Sequence, residues 1–194
     1  AAARVAADPL PTNYELVRQA ARQASMKLAT TMPELAGEKP LVLRSAVKHA
    51  GDFLVENALS SALTESGRPV RARPDSPTGP VLVIALVDLG LAYTRVHRRA
   101  WLGDKRVERE ARARLFARVV DQDEGKVLWA DQTEAKVRDE VRHSDLGTLE
   151  EKSDASYLKA TLPPERWNKI VEPAVVTGIV VGLIVLFFSN QDTK

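Results

Sequence analysis

Residues 106–120 read RVEREARARLFARVV, and apolar and charged side chains alternate along them. Val107, Ala111, Ala113, Leu115, Ala117 and Val119 point one way; Glu108, Glu110, Arg112, Arg114 and Arg118 point the other. Successive side chains on a strand face opposite sides of its sheet, so this period of two predicts a half-buried strand. Its small apolar face belongs to a core and its charged face to water. Similar runs flank it, from Val81 to Trp101 and from Lys126 to about Val141. Turn residues separate the three, Gly103-Asp104 on one side and Asp121–Gly125 on the other, which predicts a long antiparallel meander.

Charge suggests a register for that meander. A hairpin centred on Gly103-Asp104 sets Arg99 opposite Glu108 and His97 opposite Glu110. A five-residue loop at 121–125 sets Arg112 opposite Glu134, Glu110 opposite Lys136 and Glu108 opposite Arg138. The small apolar residues then meet on the other face, Val96 with Ala111 and Val119 with Val127. Cross-strand ion pairs contribute about 0.2–1 kcal/mol each, so they specify pairing more than they stabilise it.

N-terminal to the meander, Thr12 and Glu15 form a capping-box pattern. Behind it, Leu16, Val17, Ala20, Ala21, Ala24 and Leu28 recur at helical spacing, and Pro33 closes the segment. Leu41-Val42-Leu43 reads as a short strand; Phe53, Leu54, Ala58, Leu59, Ala62 and Leu63 read as a second amphipathic helix, stopped by Gly67. A short extended piece begins at Val70, and residues 73–80 are a loop by composition. The expected fold is α+β, with a mixed or antiparallel sheet built on the three-strand meander and helices packed on it.

At the other end, Ile170 to Phe188 is a run of 19 residues whose only charge is Glu172. Such a helix spans about 28 Å, close to the hydrocarbon thickness of a bilayer. Pro173 suits its first turn, and Trp167 and Lys169 precede it as membrane-interface residues would. The competing reading is a buried strand or core helix. We expect a single C-terminal transmembrane helix. The domain plan is a lead-in and helix at 1–33, an α+β domain at 34–145, a linker at 146–169, the transmembrane helix at 170–188 and a short tail at 189–194. Within the span, Gly178 and Gly182 are four apart, and Thr177 sits beside them. That pattern allows close helix–helix packing, and chance spacing of glycines is the alternative.

Signals for chemistry are sparse. His49, His97 and His143 lack metal-ligand spacing, and Gly79, Gly90 and Gly103 form no phosphate loop. There is no G-x-S-x-G and no cysteine, which excludes disulfides and thiolate sites. Asp88, inside an apolar run, reads as the mark of a bulge or strand end, and Glu150, Glu151 and Asp154 as a solvated face. No cofactor, metal or catalytic residue is expected. Formal net charge is +2, too near balance to demand a nucleic-acid partner. Arg95, Arg98, Arg99 and Trp101, near the first hairpin tip, are a candidate partner surface. A basic cluster there also suits lipid headgroups, unless the sheet itself pairs those charges.

DFLVENALSSALTESGRPV (residues 52–70), followed by FARVVDQDEGKVLWADQTEAKV (residues 116–137), resembles a family of bacterial envelope assembly proteins. That family includes the curli-secretion lipoprotein CsgG, the penicillin-binding-protein activator LpoB and the N-terminal domain of TolB. The likeness covers roughly residues 40 to 140 and rests on a leucine-faced helix ending in glycine and a closing hairpin. In that hairpin Asp121 and Gly125 make the turn before Val127-Leu128-Trp129. It implies a non-catalytic module acting by contact with partners. Absence of a lipidated cysteine keeps pore formation and outer-membrane placement from being carried over. The function expected is a membrane-anchored scaffold or accessory subunit that tethers a larger bacterial membrane complex through its helix and its domain. The alternative is an envelope regulator that binds and activates an enzyme. Lys159, Arg166 and Lys169 before the span, against Lys194 after it, favour a cytoplasmic domain, whereas the resemblance favours a periplasmic one. The Ala-rich start fits either methionine trimming or signal-peptide cleavage; a periplasmic domain is the expectation.

Overall fold

The computed structural model describes residues 10–33, 40–71, 79–98, 103–150 and 154–163. The chain divides into Ala1–Pro163 and Pro164–Lys194, and every described residue belongs to the first unit. Helix α1 spans Asn13–Thr31 and opens with the expected capping box. Glu15 N donates to Thr12 Oγ1 at 3.2 Å, and Thr12 N donates to Glu15 Oε2 at 2.8 Å. Its terminal carbonyls, which no helical N–H can reach, are taken by Arg68, which donates to Ala29 O and Met32 O at 2.6 Å each.

Strand β1 (Leu41–Ser45), helix α2 (Asp52–Glu65) and strand β2 (Val70–Arg71) follow as a β-α-β unit. Gly67, at φ 77°, takes the left-handed turn that ends α2, a conformation open to glycine at little cost. Then come the long strands β3 (Pro80–Arg98), β4 (Lys105–Asp121) and β5 (Val127–Arg142). The one-turn helix α3 (Leu146–Leu149) lies between short 3-10 turns at His143–Asp145 and Ser156–Leu158. The sheet order is β2-β1-β3-β4-β5, with β1 parallel to both neighbours and the meander antiparallel. The α+β class, the mixed sheet and the meander agree with the sequence reading.

Helix α1 lies across the core face of β3, β4 and β5 and packs against α2. Its buried Ala20, Ala21 and Ala24 meet a sheet face that is itself lined by Ala111, Ala113 and Ala117. Small residues on both sides let helix and sheet approach closely, and Leu16, Leu28, Leu82 and Leu115 fill the remaining space. Leu146, Leu149 and Leu158 bring the segment after β5 into the same core.

Both expected hairpin registers need correction. In the first hairpin Arg95 faces Glu108, Val96 faces Val107 and His97 faces Arg106. The expected pairing would set Val81 against Lys126, past the end of β4; the observed one sets Pro80 against Asp121 and uses both strands fully. Irregularities at Leu86/Asp88 and Tyr93/Arg95 adjust the strand, and Asp88 does mark a bulge. In the second hairpin Glu110 faces Arg138, Arg112 faces Lys136, Arg114 faces Glu134, and Val119 faces Trp129. That is a shift of two residues, which leaves every side chain on its expected face.

Among the described residues no helix is long and apolar enough to cross a membrane. The span at 170–188, with Thr177, Gly178, Gly182, Trp167 and Lys169, lies outside the described residues, as do Arg99 and Trp101.

Gly51 precedes α2 where the chain presses on β3. A Cβ there would meet Leu89 Cδ2 at 2.3 Å, with His49 Nδ1 and Leu86 Cδ2 at 3.3 Å. Gly51→Ala is expected to cost about 1–3 kcal/mol by overpacking, read as a lower urea midpoint at unchanged slope. A midpoint equal to wild type would show that this contact has slack.

Candidate functional site

Two polar clusters organise the sheet. The first is buried. Arg109 stands on the apolar face of β4, between Val107 and Ala111, with its side chain fully shielded from solvent. Asp139, directly opposite on β5, receives Arg109 Nε at 2.9 Å and Nη2 at 2.5 Å. The remaining donors reach the start of α1: Nη1 to Asn13 Oδ1 at 2.8 Å and Nη2 to Pro11 O at 2.7 Å. Asn13 Nδ2 in turn donates to Tyr93 Oη at 3.4 Å, and the Tyr93 hydroxyl donates to Glu150 Oε1 at 2.6 Å. Burial, and then the hydrogen bond to Glu150, push the Tyr93 hydroxyl up to about 12, so it stays a donor throughout the working pH range. Glu150 therefore closes a partly buried network, a correction to its expected place on a solvated face; Asp154 does sit at the surface, 3.4 Å from Lys159.

The second cluster lies on the opposite face. Glu110, 5% exposed at its side chain, receives Arg138 Nε at 2.6 Å and Arg112 Nη2 at 2.9 Å. Burial pushes the Glu110 carboxyl up, but the Arg112 and Arg138 hydrogen bonds outweigh it and hold the group below the ordinary carboxylate range. Glu134 gathers Arg114 at 2.6 Å, Lys136 at 3.1 Å and Arg112 at 3.8 Å; burial opposes the same net lowering there. Asp88 extends the ladder to β3, 3.9 Å from Arg112. Gly90 and Ala92 of β3 stand beside Arg112 and Glu110 and leave these long side chains room to lie across the sheet.

Near the β3–β4 turn the pattern changes. Arg95 and Arg98, the described part of the expected partner surface, are exposed. His97 Nε2 and Arg106 Nη1 approach Glu140 only to 3.5 and 3.6 Å. His49 serves the α2 entrance instead, accepting from Gly51 N at 3.0 Å on Nδ1. No group of three or more His, Cys, Asp or Glu suited to a metal ion occurs among the described residues.

Arg109 and Asp139 are the residues the sequence reading passed over. Their positions carried a signal: Arg109 shares the inward parity of Val107 and Ala111, and Asp139 that of Val137 and Val141. Two opposite charges at matching inward positions of adjacent strands point to a buried pair.

No family model and no curated protein matches the chain. Its fold is similar to that of a neuraminyllactose-binding hemagglutinin homolog from Helicobacter pylori, at 11% identity and a TM-score of 0.35, covering 84% of this chain and 90% of that one. It is also similar to lipoprotein GNA1162 from Neisseria meningitidis, at 14% identity and a TM-score of 0.32, covering 79% of this chain and 100% of that one.

Asp139→Ala strands a buried guanidinium and is expected to destabilise the protein by about 3–5 kcal/mol. Arg109→Met with Asp139→Leu removes both charges and should recover most of that loss. A double variant as unstable as Asp139→Ala would show that shape at this site matters more than charge.

Acid should act through the outer ladder. Glu110 and Glu134 titrate below the usual 4.5 when folded, so their contribution is complete above that value and is lost as pH falls through the lower folded one. The urea midpoint is expected to hold from neutral pH to about 5 and to decline below it. Glu110→Gln should flatten part of the decline; an identical acid limb in both proteins would place its origin elsewhere.

Proposed function

We propose that this chain is a non-catalytic, membrane-anchored scaffold or accessory subunit that stabilises a larger complex of the bacterial envelope, with its α+β domain on the periplasmic side. The observation that carries this reading is how the polar groups of the sheet are used. Arg109 and Asp139 fasten α1 to β4 and β5, and Glu110 and Glu134 are enclosed by arginines that hold them ionised. General acid–base work needs a group poised near the operating pH with a free approach for substrate; these carboxyls have the opposite character. The apolar run at 170–188 supplies the anchor, and the resemblance of residues 40–140 to envelope assembly modules agrees with a role exerted through contact.

Capture of the chain from gently solubilised native membranes is expected to bring down one assembly at fixed stoichiometry. Recovery of a single enzyme in sub-stoichiometric, exchanging amounts would replace the scaffold reading with that of a regulator. Gly178→Ile with Gly182→Ile is expected to release the protein from the assembly while it remains in the membrane fraction. Co-purification at the wild-type ratio would leave the helix as a plain tether.

A further inference from the structure

The sheet handles charge in two ways. Through its middle, cations alternate with carboxylates, and Glu110 and Glu134 each serve two or more of them. At the β3–β4 end like charges face each other. Arg98 is opposite Lys105, and His97, Arg106 and Arg142 form one row across three strands. Like charges directly opposite destabilise a sheet. The local carboxylates do little to relieve this. Glu140 lies 3.5 Å or more from His97 and Arg106, and Asp104 lies 3.8 Å from Arg142, beyond the range of a strong charge-assisted hydrogen bond. His97 Nδ1 and Arg106 Nε have no hydrogen-bond partner, and neither Arg95 nor Arg98 is ion-paired with a described residue. Segments 95–98, 104–108 and 140–142 together hold five Arg or Lys against three Asp or Glu. The cations occupy both sides of the strands: Arg95, His97, Arg106 and Arg142 share the ladder face, and Arg98 and Lys105 hold the other.

We propose that this end of the meander docks end-on against the phosphate headgroups of an anionic bilayer. A strand end cationic on both sides suits a flat anionic surface, which relieves the whole cluster at once. A strand lying in a nucleic-acid groove would use one side. The inference rests on the reading that the chain is membrane-anchored, which keeps the domain at a bilayer. Each Lys or Arg near such a surface strengthens binding by about fivefold, with the effect confined to the Debye length and weakened by salt.

The full chain in neutral maltoside micelles is titrated with short-chain phosphatidylglycerol, and with phosphatidylcholine as reference, and bound lipid is counted by native mass spectrometry. Phosphatidylglycerol is expected to bind in preference, and the preference should shrink between about 50 and 300 mM salt. Arg95→Gln, Arg98→Gln and Arg142→Gln together should reduce it at least about tenfold, whereas lysine at the same three positions should retain it. Equal binding of the two lipids by wild type, or an unchanged preference in the glutamine variant, overturns the proposal. Competition by inorganic phosphate at concentrations matching the lipid would reassign the cluster to a free anion, and displacement of the lipid by duplex DNA would reassign it to nucleic acid; either result also overturns it. Carbonate washing of membranes tests the anchor separately. A chain washed off fails the anchoring reading, while the micelle titration still decides the headgroup contact.

Discussion

Arg109 brings a full charge into an otherwise apolar sheet face, and much of the fold is arranged around keeping it satisfied. A guanidinium out of water costs several kcal/mol unless its donors are met with good geometry. Here they are met from separate parts of the chain: Asp139 on β5, and Asn13 and the Pro11 carbonyl at the start of α1. Tyr93 on β3 and Glu150 after α3 extend the same network. Such a pair adds little net stability compared with a well-packed apolar substitute. Its value lies in what it forbids. A slip of β5 by two residues sets Arg109 against Val137 or Val141 and leaves a buried charge without its acid.

That constraint explains where reading the sequence succeeded and where it stopped. The capping box and the alanine and leucine spacing of α1 are local signals, as is the alternation of β4, and each element formed as its pattern required. A two-residue slip changes no side chain's face, and the outer ladder accepts more than one pairing, since Glu110 can sit opposite either Lys136 or Arg138. Outer charges therefore left the β4–β5 register degenerate, and the buried pair breaks that degeneracy. Arg109 was overlooked because it interrupts the apolar pattern in which it sits. For the first hairpin the difficulty lay in the turn: Gly103-Asp104 is a strong local signal, but the strands close around a longer connection and absorb two bulges. Of the candidate partner surface, Arg95 and Arg98 were legible as a basic cluster. Their opposition to further cations depended on the register and could not be read beforehand.

The ends of the sheet follow different rules. β2 contributes only two residues, which leaves little open backbone on that side. On the long outer strand β5, Lys27 donates to the Glu134 carbonyl at 3.0 Å, and the Gln132 N–H turns to the Asp131 carboxylate at 2.7 Å. Side chains that occupy backbone groups of an outer strand discourage unwanted pairing with another chain. Charge is thus balanced along the body of the meander, and the row at its β3–β4 end stands apart from that pattern.

The Arg109 network also spans a great length of chain. Asn13 meets residues 80 and 96 positions further on, and Pro11 meets one 98 positions away. During synthesis α1 leaves the ribosome well before β4 and β5 exist to receive it. Its alanine face has nothing to pack on, and an isolated helix of this length is marginal in water. Closing so long a loop precedes the contacts that reward it, which slows folding. The helix made first is among the last to find its place, and until β5 arrives it is an exposed amphipathic segment that chaperones have reason to hold.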